Sequence, residues 1–127
     1  MHPGSCLAQL YLLLYTCLVK EIAWIGSSHD DLRNNPRAVQ QAVGYQLHRV
    51  QNGLEPHDFK PMPIVGKGVI EIRIKEDNGE YRVFYVASLA DCVYVLHSFR
   101  KKTQKTSDKD IAKGQKRYRD AVVDAAM

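Results

Sequence analysis

Cysteine is scarce: Cys6, Cys17 and Cys92 are the full complement of a 127-residue chain, with no CxxC spacing among them. An odd number without a paired pattern argues against a disulfide framework and suits a reducing compartment, so a cytoplasmic location is expected. The five histidines, at positions 2, 29, 48, 57 and 97, have no partners at metal-ligand intervals. Neither a metal nor another cofactor is expected from such a set. Internal repeats and low-complexity tracts are also missing, and the length fits one domain with one core.

Charge is missing altogether from residues 1 to 19, and Cys6 to Val19 is apolar at all but Gln9 and Thr16. This run is shorter than the roughly 20 residues that span a bilayer, so a membrane association is not expected. It also lacks the basic n-region and the small-residue cleavage site of a signal peptide. The expectation is an apolar leader over 1–18, outside a folded domain at 19–127. Translation beginning upstream of the natural start would explain such a leader.

What is abundant is positive charge in strand-like sequence. Ile70, Ile72 and Ile74 alternate with Glu71, Arg73 and Lys75, the period of a strand with one buried and one wet face. Asn78-Gly79 suits a two-residue hairpin turn, because both residues tolerate positive φ. The return strand is read over Glu80 to Ala87 and a third over Cys92 to Ser98, after a loop at 88–91. That turn sets Lys75 opposite Arg82, with Arg73 and Arg82 as diagonal neighbours. Ile72, Ile74, Val83 and Tyr85 take the core face. Cations gathered on the other face repel one another unless carboxylates or a bound anion compensate. Two readings follow, an ordinary solvated face with ion pairs or a phosphate-binding face.

Beyond these strands come Arg100, Lys101, Lys102 and Lys105, and then a helix. Ser107 and Asp110 have the spacing of a capping box. Ile111, Gly114, Tyr118, Ala121, Val122 and Ala125 recur at helical intervals as its packing stripe. A glycine inside a helix costs about 1 kcal/mol against alanine, so Gly114 implies a close contact. Lys109, Lys113, Lys116, Arg117 and Arg119 fall mostly on the outer face. Residues 100 to 120 hold nine basic and three acidic side chains, net +6, against +4 for the whole chain. Charge so segregated points one end of the molecule at polyanions.

Upstream, Glu21 to Trp24 reads as a first strand, and Gly26-Ser27-Ser28 as a turn and helix cap with Asp30 and Asp31 at the helix start. Asn35-Pro36 restarts the helix. Its stripe is Val39, Ala42, Val43, Leu47 and Val50, and Gly53 ends it. Leu54 to Pro63, with three prolines, is expected to be a stiff connection. The order is strand, two helices, three antiparallel strands and a terminal helix, an α+β two-layer domain built on an antiparallel meander.

This order, with KEIAWIGSSHDDLRNNP at 20–36, Glu71-Ile72-Arg73, Tyr81-Arg82-Val83 and LHSFRKKTQKTSDKDI at 96–111, resembles the RelE/ParE toxin superfamily of type II toxin–antitoxin systems. The closest resemblance is to its phage-derived HigB-like branch, over about residues 19 to 123. It implies a RelE-like fold that begins near Val19, and an endoribonuclease that cuts mRNA on the ribosome without metal, by attack of the 2′-hydroxyl on the adjacent phosphate. It also implies a helix-turn-helix antitoxin partner. On this resemblance Arg73 and Arg82 hold the scissile phosphate, and Lys101 and Lys102 supply catalytic or RNA-contacting cations. Lys75, Arg100 and Lys105 give further RNA contacts. For the base, Glu71 and His97 are the candidates; the alternatives are an ion pair spacing the arginines for Glu71 and a single backbone hydrogen bond for His97. Tyr85, Tyr94 and Tyr118 fit core packing better than base stacking. Two competing functions share the fold: an inactive nucleic-acid or protein-binding module, and a ParE-like gyrase poison.

Overall fold

The computed structural model describes residues 19–77 and 79–127. The expected leader at 1–18 lies outside the described residues, as does Asn78. In chain order the elements are β1 (Glu21–Trp24), α1 (Ser28–Arg33), α2 (Arg37–Gln51), β2 (Phe59–Pro61), β3 (Val69–Glu76), β4 (Gly79–Ala90), β5 (Cys92–Lys101) and α3 (Asp108–Ala126). The five strands form one sheet in the order β1-β5-β4-β3-β2. β1 runs parallel to β5 and the other pairings are antiparallel, so the α+β domain has a mixed sheet rather than a simple meander.

Both faces of the sheet are covered, which corrects the expected two layers to three. On one face Val39, Val43, Leu47 and Val50 of α2 pack with Ile72, Ile74, Val83 and Tyr85, the predicted core face. On the other, Ile111, Tyr118 and Ala121 of α3 meet Phe84, Val86, Tyr94 and Leu96. β3 alternates apolar with charged, whereas residues 83–86 of β4 and 93–96 of β5 are apolar on both sides, as strands buried on both faces are. α3 lies close because Gly114 has no side chain: a Cβ there would stand 2.8 Å from Cδ2 of Phe84 and 3.0 Å from Cγ1 of Val65. The Tyr94 hydroxyl donates to Asp124 Oδ2 at 2.8 Å and secures the far end of the helix. Val122, assigned to the packing stripe, is exposed. Arg117, expected outside, is tucked between elements: it donates to the Leu96 carbonyl at 3.1 Å and to Ser27 Oγ at 2.7 Å.

The hairpin register differs from the expected one by two residues. Glu76 pairs with Gly79, so the connection is 77–78 and Arg73 lies directly opposite Arg82. A two-residue slip keeps every side chain on its face, which is why the core assignment survives it. Gly79 opens β4 with φ +144°, and a Cβ there would stand 2.8 Å from the Arg100 Nε, so the guanidinium occupies the space. β4 continues to Ala90 and β5 to Lys101, past the expected ends, and the anticipated loop shrinks to Asp91. Part of the stiff connection, Phe59–Pro61, is a short edge strand on β3.

Candidate nucleic-acid interface

The expected wet face of β3 and β4 is largely closed by α3 and the segment leading to it. Glu71 and Arg82 side chains are 2% and 4% exposed, against 34% for Arg73. Glu71 lies between the opposed arginines, its Oε1 3.6 Å from the Nε of each. This arrangement offsets the repulsion that two guanidiniums on facing strand positions otherwise suffer. Thr106 donates to Glu71 Oε2 at 2.9 Å, so both oxygens of the buried carboxylate are engaged. Arg82 donates from Nη1 to the Tyr81 carbonyl at 3.0 Å and from Nη2 to Glu80 Oε2 at 3.3 Å. It lies beneath the surface, whereas Arg73 reaches it.

A groove of about 330 Å³ opens over Arg73 and Glu71. Lys60 of β2, Lys101 at the end of β5, and Lys105 and Thr106 of the following segment line it. Four elements of the sequence thus bring cations to one floor carboxylate. A second pocket, about 490 Å³, lies on the other side of the 101–107 segment and shares Lys101 and Lys105 with the groove. Arg100, Lys102, Lys109 and Lys113 add to its cationic rim. Arg100 and Lys101 belong to β5 itself, which corrects their expected position beyond the strands. Lys75 stands apart at the hairpin end, 79% exposed and 3.7 Å from Glu80.

His97 is buried in β5 rather than placed at a strand end, and its partner is a side chain. Nε2 lies 2.7 Å from Asp110 Oδ1 in the first turn of α3, and the ring stacks on Phe99. Burial pushes the imidazole pKa below its usual value, while Asp110 acts in the opposite direction; burial prevails. The neutral ring therefore donates its Nε2 proton to Asp110, and Nδ1 is a buried acceptor with no partner among the described residues. Asp110 does two jobs, since its backbone N–H is also capped by Ser107 Oγ at 3.2 Å, as the capping-box spacing predicted. Tyr85 and Tyr94 are core residues, and the Tyr118 hydroxyl bonds to the Lys67 carbonyl.

Glu71, Arg73, Lys101 and Lys105 are thus brought together, with Arg82 supporting from below; His97, Arg100 and Lys102 face the adjoining pocket, and Lys75 joins neither. Sequence reasoning missed Thr106, Lys60 and Asp110. Asp110 carried a signal in its capping role, but nothing in sequence ties it to a histidine 13 residues earlier. Lys60 was hidden by the prolines around it, which disfavour an ordinary strand assignment. Among the described residues no group of three His, Cys, Asp or Glu side chains is placed to hold a metal ion, and no helix is long and apolar enough to cross a membrane.

Comparison with curated proteins finds none that matches the chain. Residues 30–119, from within α1 to within α3, match the family described as phage-derived protein Gp49-like (DUF891), a RelE-like family associated with toxin–antitoxin toxins and hence with an antitoxin partner. More than half of the chain is spanned by that match, and the protein is a member of the phage-derived Gp49-like family.

Proposed function

We propose that this protein is the toxin of a type II toxin–antitoxin pair, of the HigB-like kind, and a ribosome-dependent mRNA endonuclease that works without metal. The observation that carries the reading is Arg73, held by a buried carboxylate at the floor of a groove rimmed by Lys60, Lys101 and Lys105. A guanidinium one-third exposed and fixed in this way is suited to bidentate capture of a phosphodiester. Arg73, Lys101 and Lys102 are the residues that touch RNA and stabilise charge developing on the phosphate oxygens. Arg82 and Glu71 position Arg73, and Lys105 and Arg100 extend the contact along the strand.

In the reaction the 2′-oxygen forms a bond to phosphorus and the bond from phosphorus to the 5′-oxygen breaks. A 2′,3′-cyclic phosphate and a free 5′-hydroxyl result. One proton leaves the 2′-hydroxyl and one reaches the 5′-oxygen. Glu71 spends its oxygens on two arginines and Thr106, and His97 on Asp110. The reading therefore gives both residues positioning roles and passes the protons through water in the open groove.

One observation favours a second reading, the binding module without cleavage: both side chains first considered as the base are already engaged. Expression without an antitoxin separates these functions. The toxin reading requires translation arrest and cuts in translated messages by primer extension, abolished by Arg73→Ala. RNA binding without arrest supports the module. Intact messages with gyrase-linked DNA breaks support the ParE-like poison.

A further inference from the structure

β1 pairs with β5 only as far as Val95, so the outer edge of β5 beyond that point has no strand neighbour among the described residues. The larger pocket occupies this edge. Asn34 and Asn35, where α1 ends, form one wall, and the first turns of α3 form the other. Ser98 and His97 lie on opposite faces of the strand between them and both line the pocket. Each is at least nine-tenths buried, yet Ser98 Oγ and His97 Nδ1 have no hydrogen-bond partner among the described residues. Buried polar atoms without partners are rare in folded proteins and mark places where a ligand or water completes the set.

The chemistry of the lining is selective. The two asparagine carboxamides each offer donors and an acceptor, the combination that pairs with a nucleobase edge. Phe99 supplies an aromatic wall. Six cations stand against two carboxylates, Asp31 and Asp110, and both carboxylates are already engaged, with Arg117 and Ser27 in one case and His97 and Ser107 in the other. The occupant must therefore be anionic as well as hydrogen-bonding, and about 490 Å³ admits one nucleotide.

We propose that this pocket binds a nucleoside phosphate, and that on the RNA-cleavage reading its occupant is the nucleotide next to the one whose phosphate Arg73 holds. Lys101 and Lys105 line both cavities and serve as the bridge along which the backbone passes. The pocket reads the base through Asn34 and Asn35, and gives the enzyme its sequence preference.

The test uses the full chain and amide NMR, with inorganic phosphate, nucleoside 5′-monophosphates and 2′-O-methyl trinucleotides, which cannot be cleaved, as probes. Nucleotides should shift Asn35, His97 and Ser98 while phosphate shifts only the lysine rim. The trinucleotide should bind at least about tenfold more tightly than the mononucleotide, because linked sites act together. A mononucleotide bound as tightly as the trinucleotide identifies a free nucleotide as the ligand and overturns the RNA assignment. Nucleotides that shift no more than phosphate does overturn the pocket. In the Asn34→Ala/Asn35→Ala variant nucleotides should shift His97 and Ser98 no more than phosphate does; shifts equal to those of wild type also overturn the pocket. If wild type cuts nothing while nucleotides still shift these residues, the cleavage reading fails and the nucleotide pocket stands.

Discussion

Glu71 Oε1 stands 3.6 Å from Arg82 Nε, and the two side chains are 2% and 4% exposed. Removing one member of such a pair strands the other charge in a low-dielectric interior, a loss of about 3–5 kcal/mol where no water can enter. Arg82→Ala should therefore lower stability by several kcal/mol in urea unfolding. Glu71→Gln should cost a similar amount, about 3–5 kcal/mol, because the amide can keep the hydrogen bond from Thr106 but leaves two opposed arginines without the carboxylate between them.

Arg73 shares the same carboxylate but is one-third exposed. Water can solvate what its removal uncovers, so Arg73→Ala should cost about 1 kcal/mol or less. If Arg73 clamps the phosphate, the same change should reduce RNA cutting by about 100-fold or more. Unfolding curves and primer extension on one preparation separate the two effects. An active Arg73→Ala protein would remove the clamp from the mechanism.

Much of this arrangement is legible in the chain. The alternation of Ile70, Ile72 and Ile74 identifies the α2-facing side of β3, and Glu21–Trp24 emerges with its expected bounds. The capping box at Ser107 and the close approach at Gly114 also stand as read. The second face is where local pattern misleads. Three charged positions on β3 imply water, but Phe84, Val86, Tyr94 and Leu96 on neighbouring strands make that face a second core. Burial of Glu71 and Arg82 is a property of what α3 covers, and sequence spacing does not encode it. The turn was ambiguous for a local reason. Asn78-Gly79 favours one two-residue loop, while the approach of Arg100 uses Gly79 as a strand residue instead.

Two helical glycines separate propensity from packing. At Gly44 in α2 an added Cβ meets nothing within 4 Å, and Gly44→Ala should stabilise by about 0.5–1 kcal/mol. At Gly114 the same gain is opposed by Phe84 and Val65 at 2.8–3.0 Å. Overpacking of this kind costs about 1–3 kcal/mol, so Gly114→Ala should be neutral to destabilising by about 2 kcal/mol. Opposite signs in thermal unfolding confirm the difference; equal stabilisation would show that α3 packs less closely.

The lysines of the 101–107 segment should act through phosphate charge. Lys102 and Lys105 are exposed, and their truncation should leave stability within about 0.5 kcal/mol. RNA affinity should fall in both variants, and the slope of log affinity against log salt should flatten by about 0.7 for each lost phosphate contact. Fluorescence anisotropy between about 50 and 200 mM salt resolves this. A reduced affinity with an unchanged slope would mean that these lysines do not contact phosphate.

His97 makes stability depend on pH with a sign that its surroundings determine. Asp110 favours the charged ring, whereas burial against Phe84 and Phe99 and the charges of Lys113 and Arg117 oppose it. The net result is a folded-state pKa below the usual 6.5. Between these two values the unfolded chain binds a proton that the native protein does not, so stability falls as pH drops through about 6.5. His97→Phe removes that proton uptake while retaining the aromatic stack on Phe99. From about pH 7.5 to 5.5, the fall in unfolding free energy should be shallower in the variant than in wild type. A variant that follows the wild-type slope would show that the native imidazole takes up its proton as readily as the unfolded one, with Asp110 offsetting its burial.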